Sequence, residues 1–301
     1  MKIGYPCINL SLSCRTRTFR LKSYTEERLF DTVKENLACL ARILDFNAAR
    51  GILFFRISSD LVPFASHPVC RAADWQGRFR KDFSGIGSMI RQHEMRISMH
   101  PDQFIVLNSP RPEVVERSGK ELVYHAEVLD LLGLDPTAKI QLHVGGVYGQ
   151  KEKAMERFVD QHALLPEAVS RRLVIENDDR SYTLQDCLRI HEETGAPVLF
   201  DTLHHALNPS GEGTALAVEL AGETWSAEDG LPMVDYSTGE PGERPGSHAG
   251  SIDIRDFRQF LKETGSLDMD IMLEIKDKEH SAVRALATAR GDCRLTPFTR
   301  N

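Results

Sequence analysis

Eight short apolar runs alternate with helical patterns along the chain, and this alternation limits the fold more than any other feature. Runs such as residues 173–175 and 271–273 lack the alternation of a half-exposed strand, as expected for strands buried on both faces of a parallel sheet. No linker interrupts the series, so we predict one α/β domain over residues 1–301, a single (β/α)8 TIM barrel. The predicted strands are residues 2–8, 52–58, 96–100, 139–144, 172–176, 197–201, 232–236 and 269–274.

Three of the intervening helices carry end signals, and they are predicted at residues 25–44, 112–132 and 183–194. Thr25 precedes two glutamates, a pattern typical of a helix N-cap with acidic residues in the first turn. Gly133 and Gly195 are placed to end the other two helices. Segments rich in proline and glycine at 209–213 and 240–250 follow the sixth and seventh strands, where a barrel places its functional loops.

Composition narrows the class of protein. Hydrophobic residues make up 41% and charged residues 27%, which excludes a disordered chain. A mean hydropathy of −0.31 and the lack of an 18-residue apolar run argue against a membrane span. The N-terminus lacks the apolar stretch of a secretory signal, so we expect a cytoplasmic, bacterial-type protein and a monomer. Six scattered cysteines without a CxxC pair predict neither a disulfide framework nor a thiolate zinc site.

The net charge of −7 argues only weakly against a nucleic-acid partner. Two stretches, residues 15–22 and 71–81, interleave Arg and Lys with aromatic residues, a composition that binds phosphates and stacks on bases. Carboxylates that bind metal ions would also contribute less negative charge in the loaded protein. Net charge therefore does not decide the partner.

Ionisable residues end six of the predicted strands, and those ends open onto one face of a barrel. Groups converging there need compensating charge, and a set of His and carboxylate ligands suits Zn²⁺, Mn²⁺ or Fe²⁺ better than Ca²⁺. Two further histidines follow closely and could complete a second or third metal site. The strand-end residues are His100, His143, Glu176, Asp201, Asp235 and Glu274, and the two that follow are His204 and His248.

The remaining histidines are not predicted to bind metal. We expect His205 to lie behind the metal ligands, whereas His67, before a proline in the loop after the second strand, could be functional or structural. Five histidines in helical segments are predicted to be surface residues, and these are His93, His125, His162, His191 and His280.

Six motifs together resemble the UV damage endonuclease family, which is related to endonuclease IV-like and xylose-isomerase-like TIM barrels. The resemblance covers about residues 1–290. It implies metal-dependent cleavage of duplex DNA immediately 5′ to UV photolesions (cyclobutane pyrimidine dimers and 6-4 photoproducts), leaving a 3′-hydroxyl and a 5′-phosphate. It also implies association with the nucleoid through DNA. The motifs are Gly-Tyr-Pro-Cys-Ile-Asn at 4–9, Phe-Arg-Ile-Ser-Ser-Asp at 55–60, His-Pro-Asp-Gln-Phe at 100–104, Leu-His at 142–143, Glu-Asn-Asp at 176–178 and Phe-Asp-Thr-Leu-His-His at 200–205.

The resemblance assigns ligands to two metal ions. Glu176 corresponds to a carboxylate that bridges them, His100 and His143 hold one ion, and Asp201 and Glu274 hold the other. Glu176 would position the attacking water between the ions, and Glu274 would assist it. We expect Mn²⁺, with Zn²⁺ or Mg²⁺ as alternatives.

The chain departs from the family pattern near the end of the seventh strand. Relatives have a Lys-x-His arrangement there, with a carboxylated lysine near a third metal, whereas this chain has Met233 and Asp235. Asp235 can still donate an oxygen to a metal, but a thioether is too soft to replace a lysine carbamate. His204 and His248 would then be the third ion's remaining ligands. We therefore expect two occupied metal sites and a third that is weak or filled only with DNA bound.

The resemblance also assigns residues to the DNA. Gln103 and Phe104 match a Gln-Tyr pair that enters the duplex and fills the space of the displaced lesion, and Phe104 keeps the ring without the hydroxyl. Tyr5 and Asn9 match residues that line the pocket for the damaged bases. Displacing a base costs least where pairing is already impaired. The loop cations expected to bind backbone phosphates are Arg15, Arg17, Arg20, Arg78 and Lys81.

Three other functions share parts of this pattern. A metal-dependent sugar isomerase or epimerase would use similar strand-end ligands but gives no role to residues 15–22 or to Gln103 and Phe104. An abasic-site endonuclease of the endonuclease IV type shares the chemistry but not the 4–9 motif. A lesion-binding module without activity would not need strand-end carboxylates. Fold alone does not separate these functions.

Overall fold

The computed structural model describes residues 1–297 and shows eight parallel strands closed into a barrel in chain order. The predicted fold class is confirmed, while the predicted domain also includes residues 298–301, which lie outside the described part. Each strand pairs in parallel with the next, and β8 closes onto β1. The strands are β1 Ile3–Pro6, β2 Phe54–Ile57, β3 Arg96–Met99, β4 Lys139–His143, β5 Leu173–Glu176, β6 Val198–Asp201, β7 Met233–Tyr236 and β8 Asp270–Leu273. All eight are shorter than predicted, although flanking residues such as Leu53 and Pro232 still accept backbone hydrogen bonds from the neighbouring strand.

Helices follow the strands and cover the barrel. Thr25 caps the first helix by accepting a hydrogen bond from the Arg28 amide at 3.1 Å, and Gly195 ends another in the left-handed conformation at φ 71°. The first helix runs four residues past its predicted end at Leu44, because no helix-breaking residue interrupts residues 45–48. The helices are α1 Glu26–Ala48, α2 Trp75–Arg78, α3 Arg80–Gln92, α4 Pro112–Leu131, α5 Lys151–His162, α6 Glu167–Ser170, α7 Leu184–Thr194, α8 Thr202–Leu207, α9 Thr214–Gly222, α10 Ile254–Glu263 and α11 Glu279–Thr288.

The barrel interior is layered, because alternate residues of a strand point to the same side. One layer is an apolar cluster built from five strands. A charged residue lies two positions after each member of this cluster. The next layer, at the carboxyl ends of the strands, is therefore ionic. The apolar layer contains Phe54, Val174, Leu199, Met233 and Met272. The ionic layer above it contains Arg56, Glu176, Asp201, Asp235 and Glu274.

The amino-terminal end of the barrel is also ionic, but its charges are paired. Arg96 lies 3.6 Å from Asp270, and Lys139 donates to Asp229. Each of these buried cations has its own carboxylate, which is the arrangement expected of a structural closure. The carboxyl-terminal end differs, because it holds four carboxylates and one arginine, which contacts only two of them.

Two expectations from the sequence are wrong. The structure joins Cys14, in the segment after β1, to Cys39 of α1 by a disulfide across 25 residues, although the cysteine spacing showed no framework. The pairing depends on how this segment folds back over α1, which spacing alone does not reveal. His125 is fully buried in α4 rather than on the surface.

Among residues 1–297, none of the helices combines the length and the apolar character that crossing a membrane requires.

Candidate metal centre at the carboxyl ends of the strands

Glu176 lies at the centre of the ionic layer with three imidazoles around its carboxylate. His100 Nε2 is 3.2 Å and His143 Nε2 is 3.6 Å from Oε2, and His204 Nδ1 is 3.2 Å from Oε1. Glu176 is almost completely buried at the end of β5. The two oxygens thus face two different groups of ligands, as a carboxylate that bridges two ions would.

Two sets of three residues around Glu176 each offer ligand atoms within 4.8 Å of one another. His100, His143 and Glu176 form one set. Glu176, Asp201 and His204 form the other, so the structure places His204 with Asp201. His204 stands one helical turn after Asp201 because Asp201 caps α8 and accepts a hydrogen bond from the His204 amide at 2.7 Å.

A third set consists of Asp201, Asp235 and Glu274, again within 4.8 Å. The guanidinium of Arg56 contacts this set, with Nη2 2.7 Å from Asp235 Oδ2 and Nη1 on Glu274. His248, from the loop after β7, lies with Nε2 3.5 Å from Glu274 Oε2. His248 therefore reaches the centre beside Glu274 of the third set.

Unpaired polar atoms at this centre indicate that it is built to hold cations. Asp201 Oδ2 is buried and has no hydrogen-bond partner among residues 1–297, and the same is true of Nδ1 of His143 and of His248. Leaving a buried carboxylate oxygen without a partner is costly in a folded protein. Imidazole and carboxylate donors suit a divalent transition metal, so these residues fit such an ion.

The carboxylates also carry too much buried negative charge for Arg56 to balance. Burial raises the pKa of Asp201 to about 7, an effect that His204 only partly offsets. Burial likewise raises the pKa of Asp235, and three neighbouring carboxylates add to this increase despite the contact with Arg56. Divalent cations would supply the missing positive charge.

Two glutamates keep their charge. Burial alone would raise the pKa of Glu274, but Arg56 together with His248 and His100 outweighs it and lowers the pKa to about 2. The pKa of Glu176 also lies well below its usual value, because the imidazoles around it overcome the effect of burial. Glu176 and Glu274 are therefore carboxylate anions at neutral pH.

Sequence reasoning missed Arg56 and Gln141, which tie the ionic layer together. Gln141, on β4, accepts from Arg56 Nη2 at 2.6 Å and donates to Asp235 Oδ2 at 2.7 Å and to Glu176. The sequence did contain a signal, because side chains two residues apart on a strand point to the same side. Arg56 lies two residues after Phe54, and Gln141 lies two residues before His143, so both point into the barrel. Neither Arg56 nor Gln141 is the last residue of its strand.

Further contacts orient the ligands from behind. The Asn177 carbonyl lies 2.9 Å from His204 Nδ1. Buried His125 contacts Ser59 Oγ at 3.0 Å, and Ser59 Oγ donates to the His100 carbonyl at 2.7 Å. Burial lowers the pKa of His125 to about 4, so it is neutral. His125 therefore links α4 to the end of β3, which explains why it is inside the protein. His205, expected behind the ligands, is buried and contacts the Glu212 carbonyl at 3.0 Å.

The predicted intercalating pair is exposed beside this centre. Gln103 and Phe104 form a turn three and four residues after His100, and the Phe104 ring is 74% exposed. Its exposure leaves the ring free to contact a binding partner.

Tyr5 and Asn9 are buried instead and contact each other. Asn9 Nδ2 donates to the Tyr5 hydroxyl at 2.7 Å, and that hydroxyl donates to Asn47 Oδ1 at 2.8 Å. Asn9 Oδ1 also accepts from the amides of Ser11 and Leu12, both at 3.0 Å. The pair therefore fixes the start of the segment that carries the loop arginines.

The predicted phosphate-binding cations lie on two segments. Arg15, Arg17 and Arg20 are exposed after β1, and Arg17 lies 3.5 Å from Glu35 of α1. Arg78 packs over the Phe30 ring at 4.5 Å, and Lys81 is exposed in the first turn of α3.

A cavity of about 400 Å³ adjoins the metal centre. It lies between the segment after β1 and the loop after β2, with His100 on one side. Cys7 and Phe64, both with positive φ, shape its walls. His67 lies next to this loop, exposed, and its Nδ1 accepts from the Val69 amide at 3.1 Å.

Comparison with known proteins identifies the family. Residues 1–294 match the family described as UV-endonuclease UvdE. A UV DNA damage endonuclease of Clostridium perfringens (strain 13 / Type A) is 38% identical over 289 residues, which cover 95% of this chain and 70% of that protein. The solved structure of SacUVDE is 45% identical, with a TM-score of 0.92 and coverage of 97% of this chain and 98% of that one.

A more distant structure shares the fold alone. D-psicose 3-epimerase from Clostridium cellulolyticum H10, solved with D-tagatose, is 15% identical with a TM-score of 0.57, covering 97% of this chain and 99% of that one. At this identity the likeness carries no argument for sugar chemistry. The alternative of a lesion-binding module without activity does not hold, because the matched relatives are nucleases. The chain belongs to the UV-endonuclease UvdE family and is a DNA repair nuclease that acts on phosphodiester bonds.

Proposed function

We propose that this enzyme uses divalent metal ions, Mn²⁺ in the first place, to cut DNA immediately 5′ to cyclobutane pyrimidine dimers and 6-4 photoproducts. The products are a 3′-hydroxyl and a 5′-phosphate. The proposal depends mainly on one observation. The Glu176 carboxylate lies among the imidazoles of His100, His143 and His204, and Asp201 of the same centre has a buried oxygen without a hydrogen-bond partner among residues 1–297. Family membership makes UV-damaged duplex DNA the substrate that fits this centre.

The ligand sets give each ion its own residues. Glu176 would be shared, with His100 and His143 on one ion and Asp201 and His204 on the other. Glu274 and His248 lie together at the edge of the second set. Such ions supply an activated water and stabilise negative charge on a phosphodiester.

The protein's own groups hold the charges in place during the reaction. Glu176 and Glu274 are carboxylate anions, so they would hold positive charge at the centre and orient the attacking water. The hydrogen bonds of Gln141 and Arg56 fix both carboxylates before the substrate arrives. Because these charged groups are already in position, they need not rearrange when the transition state forms.

Recognition would depend on the exposed turn and the adjoining cavity. Phe104 enters the duplex with Gln103 and stacks where the lesion was, and the cavity between the two loops receives the displaced bases. Tyr5 and Asn9 stabilise the loop on one side of that cavity. A photodimer pairs and stacks poorly, so moving it costs less than moving normal bases, and no base sequence needs to be read.

Replacing Phe104 with Ala should weaken binding to a photodimer duplex by about tenfold or more, because base stacking on an aromatic ring contributes about 1–3 kcal/mol. Fluorescence anisotropy on damaged and undamaged duplexes measures this effect. Leu164 is 75% exposed, so Leu164→Ala removes an equally exposed apolar side chain away from the centre and should change nothing. Equal losses in the two variants would contradict the role of Phe104.

Replacing Arg15 with Gln should weaken binding to damaged and undamaged DNA alike, because a phosphate contact carries no lesion information. The slope of log K against log salt should fall by about one. Arg189→Gln is the matched control, since Arg189 is also exposed but is paired with Glu152 at 2.6 Å on the outer helices. A loss confined to damaged DNA would assign Arg15 to the lesion instead.

The position of the cut and the ends it leaves test the proposal. On a duplex with one photodimer, 5′-labelled in the damaged strand, we expect a single product that ends before the lesion and is extended by a polymerase. Blocked 3′ ends, or a cut on the 3′ side, would contradict the proposed reaction. A duplex with an abasic-site analogue serves as a parallel substrate, and faster cutting there would favour the endonuclease IV type of activity.

A further inference from the structure

Arg56 reaches from β2 into the centre, and both terminal nitrogens of its guanidinium contact side chains there. Nη2 lies 2.8 and 2.7 Å from the two oxygens of Asp235 and 2.6 Å from Gln141 Oε1, while Nη1 contacts Glu274. The side chain is only 3% exposed. A guanidinium held by two carboxylates in this way is a fixed cation inside the ionic layer.

Asp235 differs from Asp201 in what its oxygens do. Both oxygens of Asp235 accept from Arg56, and Oδ2 also accepts from Gln141 at 2.7 Å. Asp201 has one oxygen on the His204 amide and leaves the other buried without a partner in the described chain. Hydrogen-bond needs are thus met at Asp235 and unmet at Asp201, which marks Asp201 as the metal ligand of the two.

Met233, two residues before Asp235, is not a suitable ligand for a further ion. Met233 is buried in the apolar layer with Phe54 and Met272. Its thioether is a soft ligand within a hydrocarbon environment, so it offers nothing to a hard cation.

From these contacts we infer that Arg56 occupies the set formed by Asp201, Asp235 and Glu274 in place of an ion, so that the centre holds two divalent ions and Asp235 anchors Arg56 instead of binding metal. The inference rests on the proposed metal-dependent function. Two divalent ions together with Arg56 come within one charge of balancing the four carboxylates, three of which are buried, whereas a third ion would leave an excess of three positive charges.

The test counts bound ions on the full chain without DNA. Metal-stripped protein is equilibrated with Mn²⁺, separated from free ions and analysed for manganese per chain. We expect two ions in the wild type and two in Arg56→Lys, which keeps the charge. Arg56→Met should take up a third ion, because Asp235 and Glu274 then lack their cation. The double variant Arg56→Met/Asp235→Asn should return to two, and circular dichroism confirms that each variant is folded.

Three results would overturn the inference. These are three ions in the wild type, three ions in Arg56→Lys, and a folded Arg56→Met that holds only two. If Arg56→Met does not fold, Asp235→Asn decides, because Asn can still accept from Arg56. Two ions there support the inference, and one ion would make Asp235 a metal ligand.

Failure of the proposed function gives a different result. A wild type that binds no Mn²⁺ would refute the metal centre itself. A wild type that binds two ions but leaves photodimer DNA uncut would refute the substrate and keep the assignment of Arg56.

Discussion

Glu176→Gln should reduce incision of photodimer DNA by about 10³-fold or more while leaving DNA binding nearly unchanged. The amide keeps the size of the side chain and can still accept from Gln141, so the fold is preserved. It removes the one carboxylate that both ligand sets share, and with it the charge that positions the ions and the attacking water. Loss of several kcal/mol of transition-state stabilisation gives a rate effect of this size. Single-turnover incision with excess enzyme measures the rate, and anisotropy measures binding.

Asp270→Asn is the matched control for this variant. Asp270 is also a buried carboxylate in the barrel, but it pairs with Arg96 at the opposite end. We expect near-normal incision from folded Asp270→Asn. If Glu176→Gln loses DNA binding in step with incision, or cuts at more than about a tenth of the wild-type rate, Glu176 is not the shared ligand.

Asp201→Asn should have opposite effects on stability with and without metal. In metal-free protein the change removes a buried charge with an unpaired oxygen, and Asn Oδ1 can still cap the His204 amide, so we expect a gain of about 1 kcal/mol. In saturating Mn²⁺ the wild type should gain about 3 kcal/mol per ion at a hundredfold excess over its Kd, and Asp201→Asn should lose most of one such gain. Functional sites commonly carry this kind of built-in instability.

Thermal melts with EDTA and with Mn²⁺ measure both effects, and the control again is Asp270→Asn. Asp270 accepts from the Lys2 amide at 2.6 Å and pairs with Arg96, so its loss should destabilise the protein equally with and without metal. An Asp201→Asn protein that is less stable than wild type in EDTA, with an undiminished response to Mn²⁺, would mean that Asp201 is a structural residue.

Much of this architecture could be predicted from the chain alone, because parallel strands buried on both faces leave a strong apolar signal. The end of each strand then follows from where that signal stops. Since all carboxyl ends of a barrel meet on one face, His100, Glu176 and Glu274 could be placed together without knowing any distance.

Parts of the centre could not be predicted from strand ends. Arg56 lies one residue before the end of β2, and its importance comes from contacts across the barrel interior with β7 and with the residue that follows β8. Whether Asp235 faces a metal or a guanidinium depends on that contact between distant strands. No local pattern around Met233 and Asp235 contains this information.

Burial of polar residues was equally hard to foresee. Tyr5 in β1 and Asn9 in the segment after it belong to a motif that suggested an open pocket. Their side chains instead hydrogen-bond to each other, and Asn9 also accepts from the amides of the following residues. His125 is polar and helical, so its place against Ser59 depends on how α4 packs over the loop after β2. Such contacts join segments far apart in sequence and are set by tertiary packing.

The most direct test of the account is incision of two end-labelled duplexes, one carrying a single thymine photodimer and one undamaged, each with Mn²⁺ and with EDTA. The account predicts one cut, immediately 5′ to the photodimer, only on the damaged duplex and only with Mn²⁺. Cutting in EDTA would contradict the metal centre, and equal cutting of both duplexes would contradict lesion recognition. No cutting of either duplex by protein that holds its metal ions would contradict the proposed reaction.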